Sequence, residues 1–199
     1  MNHWDKKFNT NEYVYGKAPN EFLKEMHNKH HFSGEALAIA EGEGRNAVFL
    51  AEEGLDVTAW DSSKEGIKKM QNLADERKVH VDTENIDLNQ ADWAENKWDE
   101  VVCIYGHFHS ELRHNVLENV KRSIKPGGYY VSEVYSMYQI PYQSGGPQDE
   151  DMLYTPQEIL EAFRDWKIIH FFMGEVERNE GKFHSGTGHI IQIVAQKPA

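Results

Sequence analysis

Three residues of the sequence have the clearest chemical use: Gly42, Gly44 and Asp61. The aspartate follows the first glycine by about 20 residues. Gly42 and Gly44 come directly after a short apolar run, 35–40, typical of a strand that is buried on both faces. Glycines let a ligand approach the backbone closely, and the helix expected after them would offer unpaired N–H groups. Asp61 ends the next apolar run, where a carboxylate can accept hydrogen bonds from both hydroxyls of a ribose. The unit therefore predicts a site for a nucleoside-containing cofactor.

This turn fits more than one cofactor. Gly42-x-Gly44-x-x-Ala47 matches the loose dinucleotide fingerprint, so NAD(P) and an oxidoreductase activity stay open on this stretch alone. A nicotinamide enzyme would also need a second half-site for the nicotinamide ribose, and no motif for one stands out. A third interpretation is a βαβ unit whose glycines only make a tight turn.

Two further segments place polar side chains at expected strand ends. Asp87 could accept a hydrogen bond from an adenine amino group while Leu88 covers the ring, although a solvated loop aspartate is an alternative. Residues 105–109 would lie over the pocket, because ligands gather beyond the carboxyl ends of parallel strands. His107 and His109 have the spacing of a metal pair, but no third ligand is identifiable, so no metal is predicted.

The order of apolar runs and helical patterns predicts one α/β domain over residues 1–199, with a cap segment and helix at 1–34 and the sheet-forming core, which the resemblance described below implies to be Rossmann-like, at 35–199. The predicted strands cover 35–40, 56–61, 79–88, 98–108, 129–135, 166–176 and 188–197. The last two strands flank a polar loop with glycines, 177–187, which indicates an antiparallel hairpin. A second long loop, 137–153, also contains glycine and proline, and loops of this length are usually functional or mobile.

Capping residues mark the expected helix starts. Ser62 or Ser63 and then Ser110 precede two segments with apolar residues at helical spacing. Thr155 opens a capping box with proline at the first helical position, and Gly54 stands where a helix C-terminal glycine belongs.

Composition narrows the functional class. The formal net charge of −12 argues against a nucleic-acid partner, because phosphate binding needs a basic face. Cys103 is the single cysteine, so no internal disulfide is expected and a reducing, cytoplasmic location is predicted. No apolar run approaches the roughly 18 residues of a membrane span, and the polar N-terminal segment is not a signal peptide. No motif indicates an oligomeric state.

Taken in order, these features resemble a class I S-adenosylmethionine-dependent methyltransferase along nearly the whole chain, from Tyr15 to Lys197. The resemblance rests on AEGEGRN at 40–46, Asp61, Asp87-Leu88, the strand WDEVVCIYG, the KPGG turn at 125–128 and the closing hairpin. The chain looks closest to small bacterial enzymes of the tellurite-resistance and thiopurine methyltransferase type. The resemblance implies S-adenosylmethionine as cofactor and a Rossmann-like open sheet of seven strands, with helices on both faces and an antiparallel last strand.

The resemblance also implies roles for individual residues. The predicted cofactor-binding residues are Tyr15, Glu41, Gly42, Arg45, Asn46, Asp61, Ser62, Asp87, Leu88, Tyr105, Gly106 and His107. The substrate-pocket candidates are Trp4, Tyr13, His109, Tyr135, Arg178 and His184. Tyr15 is expected near the cofactor carboxylate, and the two candidate catalytic residues are His107 and His184.

The first strand departs from the family pattern. Members usually carry an acid near its middle and a glycine that opens the turn, whereas this chain has Ala38 and Ala40 at these places. An acid appears later, as Glu41. We expect either Glu41 or a water molecule to meet the cofactor ammonium group.

A small-molecule acceptor is predicted, with a soft nucleophile such as a thiol, selenium or tellurium species. A sulfonium methyl is already activated, so transfer needs mainly an acceptor held in line at about 3 to 3.5 Å with water excluded. His107 and His184 would orient the acceptor or take its proton, and Arg178 would hold it. A non-catalytic domain that only binds S-adenosylmethionine is the alternative.

Overall fold

In residues 2–199, which a computed structural model describes, a seven-stranded mixed sheet forms the centre of the molecule. The strands are β1 (Glu35–Ile39), β2 (Asp56–Asp61), β3 (Asp82–Asn85), β4 (Trp98–Ile104), β5 (Ile124–Tyr135), β6 (Lys167–Asn179) and β7 (Ser185–Gln196). Their order is β3-β2-β1-β4-β5-β7-β6. Strand β7 is antiparallel to both neighbours, and the other pairs are parallel. This confirms the predicted fold class.

Helices pack on both faces of the sheet. Successive residues of a strand point to opposite faces, so alternate residues of one strand contact different helices. The helices are α1 (His3–Phe8), α2 (Glu21–His30), α3 (Arg45–Glu52), α4 (Lys64–Arg77), α5 (Ser110–Ser123) and α6 (Pro156–Ala162). Ala36 and Ala38 of β1 pack with residues of α2, α3 and α4. Leu37 and Ile39 of the same strand pack with residues of α5 and α6.

Two of the three predicted helix caps form as expected. Ser63 is the N-cap of α4 and Thr155 the N-cap of α6, and each side chain accepts a backbone N–H bond from the third residue along. The prediction for Ser110 is wrong by one residue, because His109 is the N-cap of α5 and makes no side-chain cap bond. The Asp151 carboxylate, from the long loop, accepts the Ser110 N–H instead at 3.0 Å.

Two strands are shorter than predicted, and in both cases the residues beyond the strand end line a cavity. The predicted strand 79–88 forms only over β3, which pairs with β2 alone, and residues 86–88 leave the sheet to line a cavity. The predicted strand 98–108 ends at Ile104, because Tyr105 has a positive φ of 54° and turns the chain out of the strand.

The KPGG segment at 125–128 follows the end of α5, as predicted, but it lies within β5. That strand begins at Ile124 rather than at Tyr129. Its pairing with β4 is irregular there, because Trp98 faces Ile124 while Glu100, two residues later, faces Tyr129. Extra residues on one strand of a pair are a bulge, which is why the segment resembles a turn in sequence.

The final hairpin is longer and its loop shorter than predicted. Residues 177–187 were expected to form a loop, but β6 continues to Asn179 and β7 starts at Ser185. The turn is only 180–184, because residues 177–179 pair with residues 185–187 in the antiparallel register of the hairpin. Arg178 therefore belongs to β6 and does not share a loop with the turn residues.

Candidate active site

A cavity of about 600 Å³ lies at the carboxyl ends of β1, β2 and β4. Helix α1 and the β6–β7 turn also contribute to its wall. The twelve residues predicted to bind the cofactor all line it: Tyr15, Glu41, Gly42, Arg45, Asn46, Asp61, Ser62, Asp87, Leu88, Tyr105, Gly106 and His107. The structure thus brings together residues that lie up to 92 positions apart, and their contact with a cofactor remains a prediction.

Asp61 is held rigidly at the floor of this cavity. Its carboxylate accepts the Gly42 N–H at 2.7 Å and the Ser63 N–H at 2.8 Å, one on each oxygen. Burial raises the pKa of Asp61, and the two backbone N–H bonds oppose that effect. Each carboxylate oxygen can still accept a second hydrogen bond, so the group can receive ligand hydroxyls in a fixed orientation.

Glu41 closes the start of helix α3. One oxygen of its carboxylate accepts the N–H groups of Asn46, at 2.9 Å, and of Ala47, at 2.7 Å. Burial raises the pKa of Glu41 to about 7, even though these bonds and the nearby Arg45 guanidinium favour the charged form. The anion-binding end of the helix is therefore already occupied by a side chain of this protein.

Two residues of the cavity wall have a left-handed backbone without being glycine. Ala40 has φ 50° and Tyr105 has φ 54°, at the ends of the neighbouring strands β1 and β4. Ala40 occupies the place where the family pattern has glycine, and its φ is the physical reason for that preference. Such residues store strain of order 1–3 kcal/mol each and cluster at functional sites.

A buried network of polar side chains stands behind the wall. Glu133, which is fully buried, accepts hydrogen bonds from the Tyr105 hydroxyl and the Gln192 amide. It also accepts two from the Arg178 guanidinium, at 3.1 and 2.7 Å. Burial alone would raise the pKa of Glu133, but the Arg178 guanidinium and these donors hold it below its ordinary value. Arg178 thus fixes Tyr105 indirectly and is not on the cavity wall.

Glu180, in the β6–β7 turn, fixes that turn to the N-terminal part of the chain. Its carboxylate accepts hydrogen bonds from Arg45 at 2.7 Å, from the Asn20 amide and from the Glu21 N–H. These bonds place the turn, with His184, beside the start of α3.

Neither predicted catalytic histidine has the surroundings of a strong base. The ring of His107 lies between the Met152 carbonyl oxygen, 2.8 Å from Nδ1, and the Tyr135 N–H, which donates to Nε2 at 3.2 Å. Burial lowers the pKa of His107 to about 4. Burial also lowers the pKa of His184 well below its ordinary value, and no residue of 2–199 hydrogen-bonds to its Nδ1. Its ring lies 4.4 Å from the ring of Tyr15.

The substrate candidates divide into two groups. Trp4 and His184 line the cavity. The other four do not line it. The Tyr13 hydroxyl donates to the Lys69 carbonyl, and His109 is exposed beside Asp151. Tyr135 is buried behind the wall, and Arg178 binds Glu133. The sequence indicated only that these four lie in segments near the strand ends, and a segment does not determine the direction of a side chain.

Several residues of the wall were not predicted. Lys7 and Phe8 come from helix α1, Phe183 from the hairpin turn, and 145–147 from the long loop. The only signals in the sequence were the aromatic residues before the first strand and the glycines of a loop of unusual length.

Outside this cavity, residues 2–199 offer little for other kinds of site. A more open cavity of about 640 Å³ lies beside Tyr138 and His189, and no predicted site residue lines it. Within the described chain, no group of three or more His, Cys, Asp or Glu side chains could hold a metal ion. No helix there is both long enough and apolar enough to cross a membrane.

The chain is similar to several proteins of known sequence or structure. The sequence model of the tellurite resistance protein TehB family matches residues 2–187. A curated Haemophilus influenzae relative, "Probable S-adenosyl-L-methionine-dependent methyltransferase TehB", is 24% identical over 151 residues, covering 73% of this chain and 51% of the relative. The crystal structure of TehB from Haemophilus influenzae has a TM-score of 0.73 at 20% identity, covering 98% of this chain and 66% of that one.

A more distant structure shares the fold. The crystal structure of magnesium protoporphyrin IX methyltransferase from Synechocystis, with bound S-adenosylhomocysteine, has a TM-score of 0.68 at 14% identity. The match covers 92% of this chain and 90% of that one. The chain spans about half the length of the curated TehB relatives that it matches.

Proposed function

The chain belongs to the tellurite resistance protein TehB family, and from this premise we propose that it transfers the methyl group of S-adenosylmethionine to a small, soft acceptor. In this proposal most of the cofactor-binding residues belong to the core at 35–199, and Tyr15 belongs to the segment before it. The curated TehB relatives are named as probable S-adenosyl-L-methionine-dependent methyltransferases, which supports the reaction class but does not name the acceptor.

The observation that carries the proposal is the position of the Glu41 carboxylate. A dinucleotide cofactor needs the helix N-terminus after the glycine turn for its pyrophosphate. Here that position holds a carboxylate, which would repel a phosphate and occupies the N–H groups of Asn46 and Ala47. S-adenosylmethionine has no phosphate and carries positive charge on its sulfonium and ammonium groups. The start of α3 therefore favours S-adenosylmethionine over NAD(P).

The charges on the cavity wall agree with this choice. Its acidic side chains are Glu41, Glu43, Asp61 and Asp87, and its Lys and Arg side chains are Lys7 and Arg45. An acidic wall suits a cationic ligand better than a diphosphate.

The residues present fit the parts of the proposed cofactor. Asp61, fixed by two backbone N–H groups, would accept the ribose hydroxyls together with Ser62. Asp87 would accept from the adenine amino group, and Leu88 would cover the ring. When bound, the cofactor supplies an electrophilic methyl group on a sulfonium sulfur.

The acceptor would be positioned by aromatic side chains and would need no strong base. Tyr105, Tyr15 and His184 surround the inner end of the cavity, with ring centroids of His184 and Tyr105 4.2 Å apart. His107 is held neutral between two backbone groups, so it is suited to shape the wall rather than to take a proton. A soft anion such as a thiolate arrives without the proton that a base would have to remove.

The test is single-turnover methyl transfer from labelled S-adenosylmethionine to thiol, selenol, amine and phenol acceptors. We expect the thiol and selenol to react fastest, and His107→Ala and His184→Ala to lower the rate only modestly. An obligatory general base would be worth about 10²- to 10⁴-fold. An amine or phenol that reacts best, with a loss beyond about a hundredfold in one histidine variant, would overturn the proposed mechanism and identify that histidine as the base.

A further inference from the structure

Lys7 is a basic side chain on the cavity wall that makes no direct ion pair with a carboxylate of residues 2–199. Its Nζ donates a hydrogen bond to the Tyr15 hydroxyl, and none of the ion pairs within residues 2–199 includes it. The other basic side chain, Arg45, is bound to Glu180 at 2.7 Å. A cation without an anionic partner, facing a cavity, is a natural partner for an anionic ligand group.

Three aromatic rings hold this ammonium group in place. Its nitrogen lies 4.8 Å from the ring centroid of Trp4, 4.9 Å from that of Tyr15 and 4.6 Å from that of Phe183. These rings attract a cation and keep water away from it, which strengthens a charge-assisted hydrogen bond to a ligand. Burial lowers the pKa of Lys7, and the Glu43 carboxylate opposes that effect.

The proposed cofactor presents a zwitterion, and the wall offers two matching charges. Glu41 has one carboxylate oxygen that no described side chain or N–H group binds, and it lies by the glycine turn. Lys7 is hydrogen-bonded to the hydroxyl of Tyr15, which also lines the cavity. We infer that Lys7, together with the Tyr15 hydroxyl, binds the carboxylate of the cofactor's methionine end, an inference that rests on the proposed function.

This assignment gives helix α1 a direct part in cofactor recognition. Three hydrogen bonds attach the helix to the start of α4. The Asn2 amide donates to the Ser62 carbonyl at 2.8 Å, and Asp5 accepts from the Ser63 hydroxyl at 2.8 Å and from the Glu65 N–H at 3.3 Å. Phe8 of the same helix lies against Gly42, because a Cβ on that glycine would be 3.1 Å from the ring. A helix outside the Rossmann core would therefore complete the site over the glycine turn.

The experiment is calorimetric titration with S-adenosylhomocysteine and with its decarboxylated analogue, S-adenosyl-3-thiopropylamine. The variant Lys7→Met keeps the apolar stem and removes the charge. Lys6→Met is the matched control, because Lys6 is exposed and lies next to Lys7 on the same helix. We expect Lys7→Met to weaken S-adenosylhomocysteine about 10- to 100-fold and to leave the analogue within about twofold, since one charge-assisted bond is lost.

Two further affinity measurements test the same inference. The wild-type protein should bind S-adenosylhomocysteine about 10- to 100-fold more tightly than the analogue. The variant Lys7→Arg, which keeps the positive charge, should retain most of that preference. Equal weakening of both ligands by Lys7→Met, or no weakening of either, would overturn the inference and leave Lys7 with a packing role. Failure of the wild-type protein to bind either ligand would instead refute the proposed function.

Discussion

The two ends of the cavity are built in different ways. The end near Asp61 comes mainly from one continuous stretch, the glycine turn and the strands on either side of it, and its polar groups bond to neighbouring backbone. The end near Tyr105 is assembled from distant parts of the chain that meet around Glu133 and Glu180. The first end can be inferred from local spacing, whereas the second depends on long-range contacts that leave no short motif.

The largest expected effect is on stability, from a substitution in the buried network at the cavity end near Tyr105. Arg178→Met would leave the Glu133 carboxylate fully buried without its cation, and removing one partner of such a pair costs about 3 to 5 kcal/mol. We expect that loss in the free energy of unfolding by urea. The control is Arg164→Met, because the exposed Arg164–Glu161 pair at 3.8 Å should change stability by less than about 1 kcal/mol. Equal losses in the two variants would mean that the network does not support this end.

The next largest expected effect is on ligand affinity, at the cavity end near Asp61. Asp61→Ala removes a carboxylate that is oriented by Gly42 and Ser63, and each charge-assisted bond to a ribose hydroxyl contributes roughly 1.5 to 3 kcal/mol. We expect S-adenosylhomocysteine to bind about 10- to 1000-fold more weakly by calorimetry on folded variant protein. Unchanged affinity would remove Asp61 from the site.

Glu41 should show a smaller effect with a pH signature. Its folded pKa of about 7 lies above the ordinary value of 4.5, so the contribution of Glu41 to the stability of the free protein is fully present below pH 4.5 and is lost as the pH rises from 4.5 to about 7. A ligand ammonium group favours the carboxylate, so binding at pH 7 should release up to about half a proton. Calorimetry in buffers of different ionisation enthalpy measures this release.

The matched variant separates two roles for Glu41. Glu41→Gln should abolish the proton release and weaken S-adenosylmethionine by about 10-fold more than an adenosine-only analogue. Equal weakening of every ligand would mean that Glu41 only caps helix α3 through Asn46 and Ala47.

The smallest expected effect is on stability, and it tests the backbone strain at Ala40, near the Asp61 end of the cavity. Ala40→Gly should stabilise the protein by about 0.5 to 1 kcal/mol, because the left-handed φ of 50° costs alanine more than the added chain entropy costs glycine. Ala51→Gly, in the last turn of α3, should destabilise it by up to about 1 kcal/mol. Urea unfolding of both variants gives the comparison, and a destabilising Ala40→Gly would contradict the strain argument.

The same contrast explains what the sequence could and could not predict. The positions of most strands along the chain, the closing hairpin and the caps at Ser63 and Thr155 follow from periodicity and turn chemistry, which are local. The seven-stranded sheet with its antiparallel last strand was expected only from the family resemblance. The end of β4 was predicted too late, because the positive φ of Tyr105 is imposed by the fold. Arg178 was predicted to face an acceptor, because no local pattern in the sequence indicates a carboxylate 45 residues away that pairs with it.

The central claim is that this cavity binds S-adenosylmethionine rather than a nicotinamide dinucleotide. Calorimetric titration of the unmodified protein with S-adenosylhomocysteine and with NADH tests it most directly. We predict one molecule of S-adenosylhomocysteine bound per chain and no measurable binding of NADH, because Glu41 occupies the phosphate-binding end of α3. Binding of NADH without binding of S-adenosylhomocysteine would contradict the claim.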